Sequence, residues 1–161
     1  MVKETCLCFA LCFLFVVPVF LPAQTAAELE MLLENPAITC DQAARFVVAS
    51  SGSPASIGSP VSADTELPEN PFGWVMDKGW LPKNAEPDAP VTLGALSFLM
   101  MKAFNIKGGM MYALIPGPRY AYRAMVSRSL IEGTADPDMK VPGERFLIIL
   151  GNVLSAAGGE Q

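Results

Sequence analysis

Apolar residues recur at helical spacing in three places along the chain, each time directly after a loop rich in Pro, Asp or Asn. In the clearest of them Leu93, Leu96, Leu99, Met100 and Phe104 follow one another near a 3.6-residue period. The loop before them ends on Val91-Thr92, where the Thr92 hydroxyl can take an orphan backbone N–H of the first turn. The stretch Asp136 to Val141 runs in the same way into Phe146, Leu147, Ile149, Leu150, Val153 and Leu154. The stretch Glu34 to Thr39 runs into Ala43, Phe46, Val47 and Ser50, and Thr39-Cys-Asp-Gln42 has the form of a capping box. A shorter helical pattern precedes each loop: residues 26–33, stopped by Asn35-Pro36; residues 71–80, with Phe72, Val75, Met76 and Trp80 on one side; and residues 119–130, with Tyr122, Met125, Val126 and Leu130 inward. Gly79 suits a C-terminal cap. Pro142 and Glu144 suit the first turn of the last helix, which Gly158-Gly159 is expected to close. The pattern therefore predicts an all-α fold, with three helix–loop–helix units of about 26–50, 71–104 and 119–156 packed into one compact domain.

Three stretches break the pattern. Residues 51–70 are rich in Gly, Pro and Ser and read as a flexible linker. Met110 to Pro118, apolar and bounded by Gly and Pro, reads as a packed loop or short strand. Residues 1–23 read as an export signal: Lys3, an apolar run from Cys6 to Leu21, then Pro22 and small Ala23 before polar Gln24. The remaining domain is then 24–161, in an exported, periplasmic or envelope-associated protein. Cys6, Cys8 and Cys12 fall in the signal, which leaves Cys40 alone and no internal disulfide. At the start of a helix the Cys40 thiol could have a lowered pKa; a small packed residue is the plainer reading.

Composition narrows the function. Hydrophobic residues make up 52% of the chain and charged ones 17%, so a core can form. Eleven Lys and Arg against sixteen Asp and Glu give a net charge of −5, which argues against nucleic-acid binding. There is no His, hence no ordinary general base, zinc ligand or partner for a nucleophilic Ser or Cys. No phosphate-cradling Gly loop or nucleophile elbow occurs either. The acid pairs Asp88/Asp138 and Glu86/Asp136 sit at equivalent repeat positions, where loop-forming Asx turns are the plainer account, and Asp136-Pro-Asp138 is too sparse in ligands for calcium. The expectation is a non-enzymatic protein without a metal or other cofactor.

The second and third units align without a gap. Phe72 falls on Tyr122, Val75 on Met125, Met76 on Val126, and Ala85, Pro87, Asp88 and Val91 recur as Ala135, Pro137, Asp138 and Val141. A repeat of this size implies stacked units, because one helix pair cannot bury its own apolar face. With Leu130-Ile-Glu-Gly133, Asp136-Pro-Asp138 and the junctions Ile38-Thr39, Val91-Thr92 and Val141-Pro142, the chain resembles the S-layer homology (SLH) domain family across most of residues 26–156. The resemblance implies an anchor for cell-wall polysaccharide. In that family an Arg after the junction contributes to the sugar-acid site; here its places hold Cys40, Leu93 and Gly143, and Glu144-Arg145 is the nearest substitute.

Aromatic and cationic residues gather at Trp74, Lys78, Trp80 and Lys83, and again at Arg119, Tyr120, Tyr122, Arg123 and Arg128. Aromatic faces stack on sugars and cations pair with acidic glycans. Trp74, Arg123 and Arg145 fall off the main apolar faces and are the candidate ligand-binding residues. The expected activity is weak cell-wall glycan binding or anchoring. The alternative is a protein–protein scaffold or self-associating envelope component, using Met110 to Pro118 as its contact.

Overall fold

The computed structural model describes residues 30–51, 68–133 and 135–159. The expected signal, most of the expected linker and residues 26–29 lie outside them. The chain divides into two compact units, Met1–Glu30 and Met31–Gln161, and every element below belongs to the second. That unit is all-α: among the described residues there is no strand, only isolated bridges.

Residues 31–34 end a helix, with Leu32 buried. Then come α1 (Cys40–Ser50), α2 (Pro71–Asp77), α3 (Leu93–Ala103), α4 (Met110–Leu114), α5 (Pro118–Ser127) and α6 (Gly143–Gly159). The starts follow the capping chemistry. Thr39 Oγ1 accepts from Gln42 N–H at 3.2 Å while Gln42 Oε1 accepts from Thr39 N–H at 3.1 Å, the reciprocal box expected. Thr92 Oγ1 accepts from Ala95 N–H, and Asn70 Oδ1 accepts from Gly73 N–H ahead of Pro71. The ends of α2, α3 and α5 share one device, a left-handed residue after the last turn: Gly79 (φ 66°), Asn105 (φ 51°) and Ser129 (φ 58°). After α2, Trp80 N–H reaches Val75 O and Gly79 N–H reaches Met76 O; after α5, Leu130 N–H reaches Met125 O and Ser129 N–H reaches Val126 O. Gly79 and Ser129 stand at matching places in the alignment of the second and third units.

α1 packs against α2 and α3, α3 against α5, and α4 lies on α5. α6 joins this assembly through Phe146, edge-on to Phe46 at 6.1 Å, and through Asn152, whose amide donates to Leu130 O. Leu96 and Phe146, matched by the alignment, are both fully buried, as are Val75 and Met125.

A ring of backbone hydrogen bonds joins the three loop–helix junctions. Ile38 N–H donates to Val141 O at 2.9 Å, Val141 N–H to Val91 O at 3.2 Å, and Val91 N–H to Ile38 O at 2.9 Å. All three side chains are buried. Outside the ring, first-turn N–H groups of α1, α3 and α6, which have no partner within their own helix, are taken by carbonyls of neighbouring loops. Cys40 N–H goes to Ala89 O, Leu93 N–H to Met139 O and Gly143 N–H to Asn35 O.

Two sequence expectations need correction. Met110 to Leu114 is helical rather than strand or packed loop, and it stands out from the core. Residues of good helix propensity start a helix directly after Gly109, its N-cap, and Pro116 stops it. Leu154 is exposed, because α6 by its last turns has only one face against the core. Cys40 is buried, as the plainer reading of a small packed residue has it, and burial raises its thiol pKa.

Candidate functional site

Arg119 and Arg123 sit one turn apart on α5, so both stems lie on one face of the helix. With Tyr120, Tyr122 and Pro137 they line a cavity of about 390 Å³. A second cavity of about 370 Å³ shares Arg119 and Pro137 and continues along the loop before α6 to the start of α3, past Asp136, Asp138, Thr92 and Gly94. A third, of about 280 Å³, shares Tyr120 and Arg123 and opens between α5 and α4 at Met110, Met111 and Tyr112. One face of α5 thus carries three adjoining depressions, with two exposed guanidinium groups at their shared walls.

The Tyr122 hydroxyl is committed to holding the loop wall in place. It donates to Ala135 O at 2.7 Å and accepts from Ala135 N–H at 2.8 Å. Pro137 O in turn accepts from Gly94 N–H, which fixes the loop against α3. Asp136 Oδ1 accepts from Asp138 N–H, the Asx turn anticipated for this acidic loop. Among the described residues no group of three His, Cys, Asp or Glu is placed to hold a metal ion. Tyr122→Phe is expected to cost about 1–3 kcal/mol, since it strips two hydrogen bonds from a half-buried peptide. Urea denaturation monitored by circular dichroism measures this, and an unchanged midpoint would show that the clamp adds nothing.

Arg123 stands in this groove as a candidate, but neither Trp74 nor Arg145 lines any of the three cavities. Trp74, on α2, is partly buried and edge-on to Trp80 at 4.8 Å, with Lys78 Nζ 5.5 Å from its ring centre. Its aromatic surface is largely occupied by its own neighbours. Arg145 is half-buried on the first turn of α6. Comparison with family models, with curated proteins and with solved structures gives no match. The three places where the SLH resemblance would put an arginine are all buried: Cys40, Leu93 and Gly143 use their N–H groups on loop carbonyls and face the interior. The sequence places Arg119, Tyr120 and Tyr122 in a cationic–aromatic cluster but does not show the loop wall at Pro137, anchored through Ala135. The legible signal was Tyr122 itself, since a buried phenol requires a polar partner.

Proposed function

We propose that the chain is a non-enzymatic envelope protein whose helical domain is an SLH-like module of three units, binding an acidic wall glycan weakly through the α5 groove. The hydrogen-bonded ring of Ile38, Val91 and Val141 supports the three-unit reading, because it gives each unit the same partner relation to the next. The single observation that carries the binding reading is the cavity walled by Arg119, Arg123, Tyr120 and Tyr122. Two guanidinium groups one turn apart can take a sugar carboxylate in charge-assisted, bidentate fashion, and Tyr120 offers an aromatic edge to the ring. Exposure keeps the affinity low, because both cations stay solvated and screened.

The double variant Arg119→Ala/Arg123→Ala is expected to lower retention on purified wall polysaccharide about ten-fold or more, since each charged hydrogen bond contributes about 1.5–3 kcal/mol. Raising the salt should lower the parent's retention in parallel, with helicity unchanged. Arg145→Ala and Trp74→Ala form separate arms that ask whether these residues act at the same ligand. Equal retention of the double variant and the parent would remove the groove as the glycan site.

A further inference from the structure

Between Asp88 and Glu132 the chain has no acidic residue, yet it carries Lys102, Lys107, Arg119, Arg123 and Arg128, in a protein whose net charge is −5. This acid-free stretch contains α4, the most exposed apolar element among the described residues. Met110 is 79% exposed, Met111 52%, Leu114 70% and Ile115 57%, and none of the α4 side chains is buried. The element is nonetheless held in place: Tyr112 packs edge-on against Phe98 at 6.2 Å, and Lys102 lies 5.5 Å from the same Phe98 ring. Arg123 shares a cavity with Met110 and Met111, while exposed Lys107 and Arg119 bracket the segment in sequence. Asp136 and Asp138 line the far part of the Arg119 cavity. Among the described residues the one ion pair is Arg45 with Asp41, so none of these cations pairs with a described acid.

We propose that the α4 segment is a membrane-contact element: Met110, Met111, Leu114 and Ile115 enter the headgroup–acyl boundary of an anionic bilayer, with Lys107, Arg119 and Arg123 at headgroup level. An apolar tip rimmed by cations matches a surface that is apolar beneath and negatively charged above. Long cationic side chains can lay their stems along the apolar layer and keep their heads among the phosphates. A second copy of this chain fits less well. Three side chains on a five-residue helix, with Ile115 at its C-cap, make a patch on the order of a few hundred Å², below the roughly 800 Å² per partner of a stable interface. A two-fold contact would also set the cationic rim against itself. The proposal goes beyond the glycan reading and does not rest on it.

The test uses the full chain with Cys6, Cys8 and Cys12 replaced by Ser and an environment-sensitive fluorophore on Leu114→Cys, with Ser155→Cys at an exposed position of α6 as the reference. Buried Cys40 stays unlabelled in both. On phosphatidylglycerol vesicles the label at 114 is expected to brighten about two-fold or more and shift to the blue, while the label at 155 does not. Phosphatidylcholine vesicles, high salt, or Lys107→Glu/Arg123→Glu should each remove at least about half of that response. Membrane binding by the apolar run of residues 6–21 alone would not single out position 114, so the difference between labels is the readout. Equal response of the two labels, no response of either, or equal response on neutral and anionic vesicles would overturn the proposal. A response at 114 that grows with protein concentration without vesicles would assign the face to a second copy, and would overturn it too.

Discussion

Replacing Gly143 by Ala is expected to cost on the order of 3–5 kcal/mol, a large part of the stability of a domain of this size. Gly143 opens α6 and donates its N–H to Asn35 O at 3.0 Å. A Cβ there would overlap the backbone carbonyl of Leu32, which has no flexible end to swing aside. Either α6 must back away from residues 31–36, or the hydrogen bond must break and Leu32, buried in the core, must move. Gly151→Ala in the same helix separates this effect from helix propensity. A Cβ at Gly151 meets nothing within 4 Å, so that change should stabilise by about 0.5–1 kcal/mol. Thermal and urea unfolding of the two variants should therefore move in opposite directions. A Gly143→Ala protein as stable as the parent would mean that the close approach does not exist in solution. The same contact explains why this position takes no arginine, although the SLH resemblance points to one: a side chain has nowhere to go.

What could be read from the sequence was local. The box between Thr39 and Gln42 and the cap at Thr92 act over three residues, so residue type and spacing suffice to place them. The burial of Leu96 and Phe146 followed from a long helical period, in which many positions agree. α4 failed both conditions. Five residues between Gly and Pro carry too little period to separate helix from strand, and apolar character by itself does not tell a packed segment from an exposed one. The groove was legible only as a list of side chains on α5. Its other wall, at Pro137, depends on a loop that the Tyr122 hydroxyl holds at Ala135, 13 positions along the chain. The ring through Ile38, Val91 and Val141 was legible as three similar junctions, but which N–H meets which carbonyl is a long-range property. Cys40 shows the same limit: helix position and burial push a thiol in opposite directions, and only the fold shows burial prevailing.

Phe146→Ala is expected to destabilise by about 3–5 kcal/mol, the range for deleting a fully buried aromatic ring. The ring has no solvent exposure and meets Phe46 of α1 edge-on at 6.1 Å, so it is the tie between α6 and the first helix of the unit. Truncation removes that aromatic pair and leaves a void between two helices whose backbones are already fixed by the ring of hydrogen bonds at their starts. The walls are thus poorly able to collapse, which places the cost toward the upper part of the range. Phe146→Leu keeps most of the volume and should lose far less. Leu96→Ala, at the matching place on α3, should cost about 2–5 kcal/mol by the same mechanism. Denaturant midpoints of the three variants at constant slope give the comparison. If Phe146→Ala unfolds at the parent's midpoint while Leu96→Ala does not, α6 is not part of the same core and the equivalence of the last two units is lost.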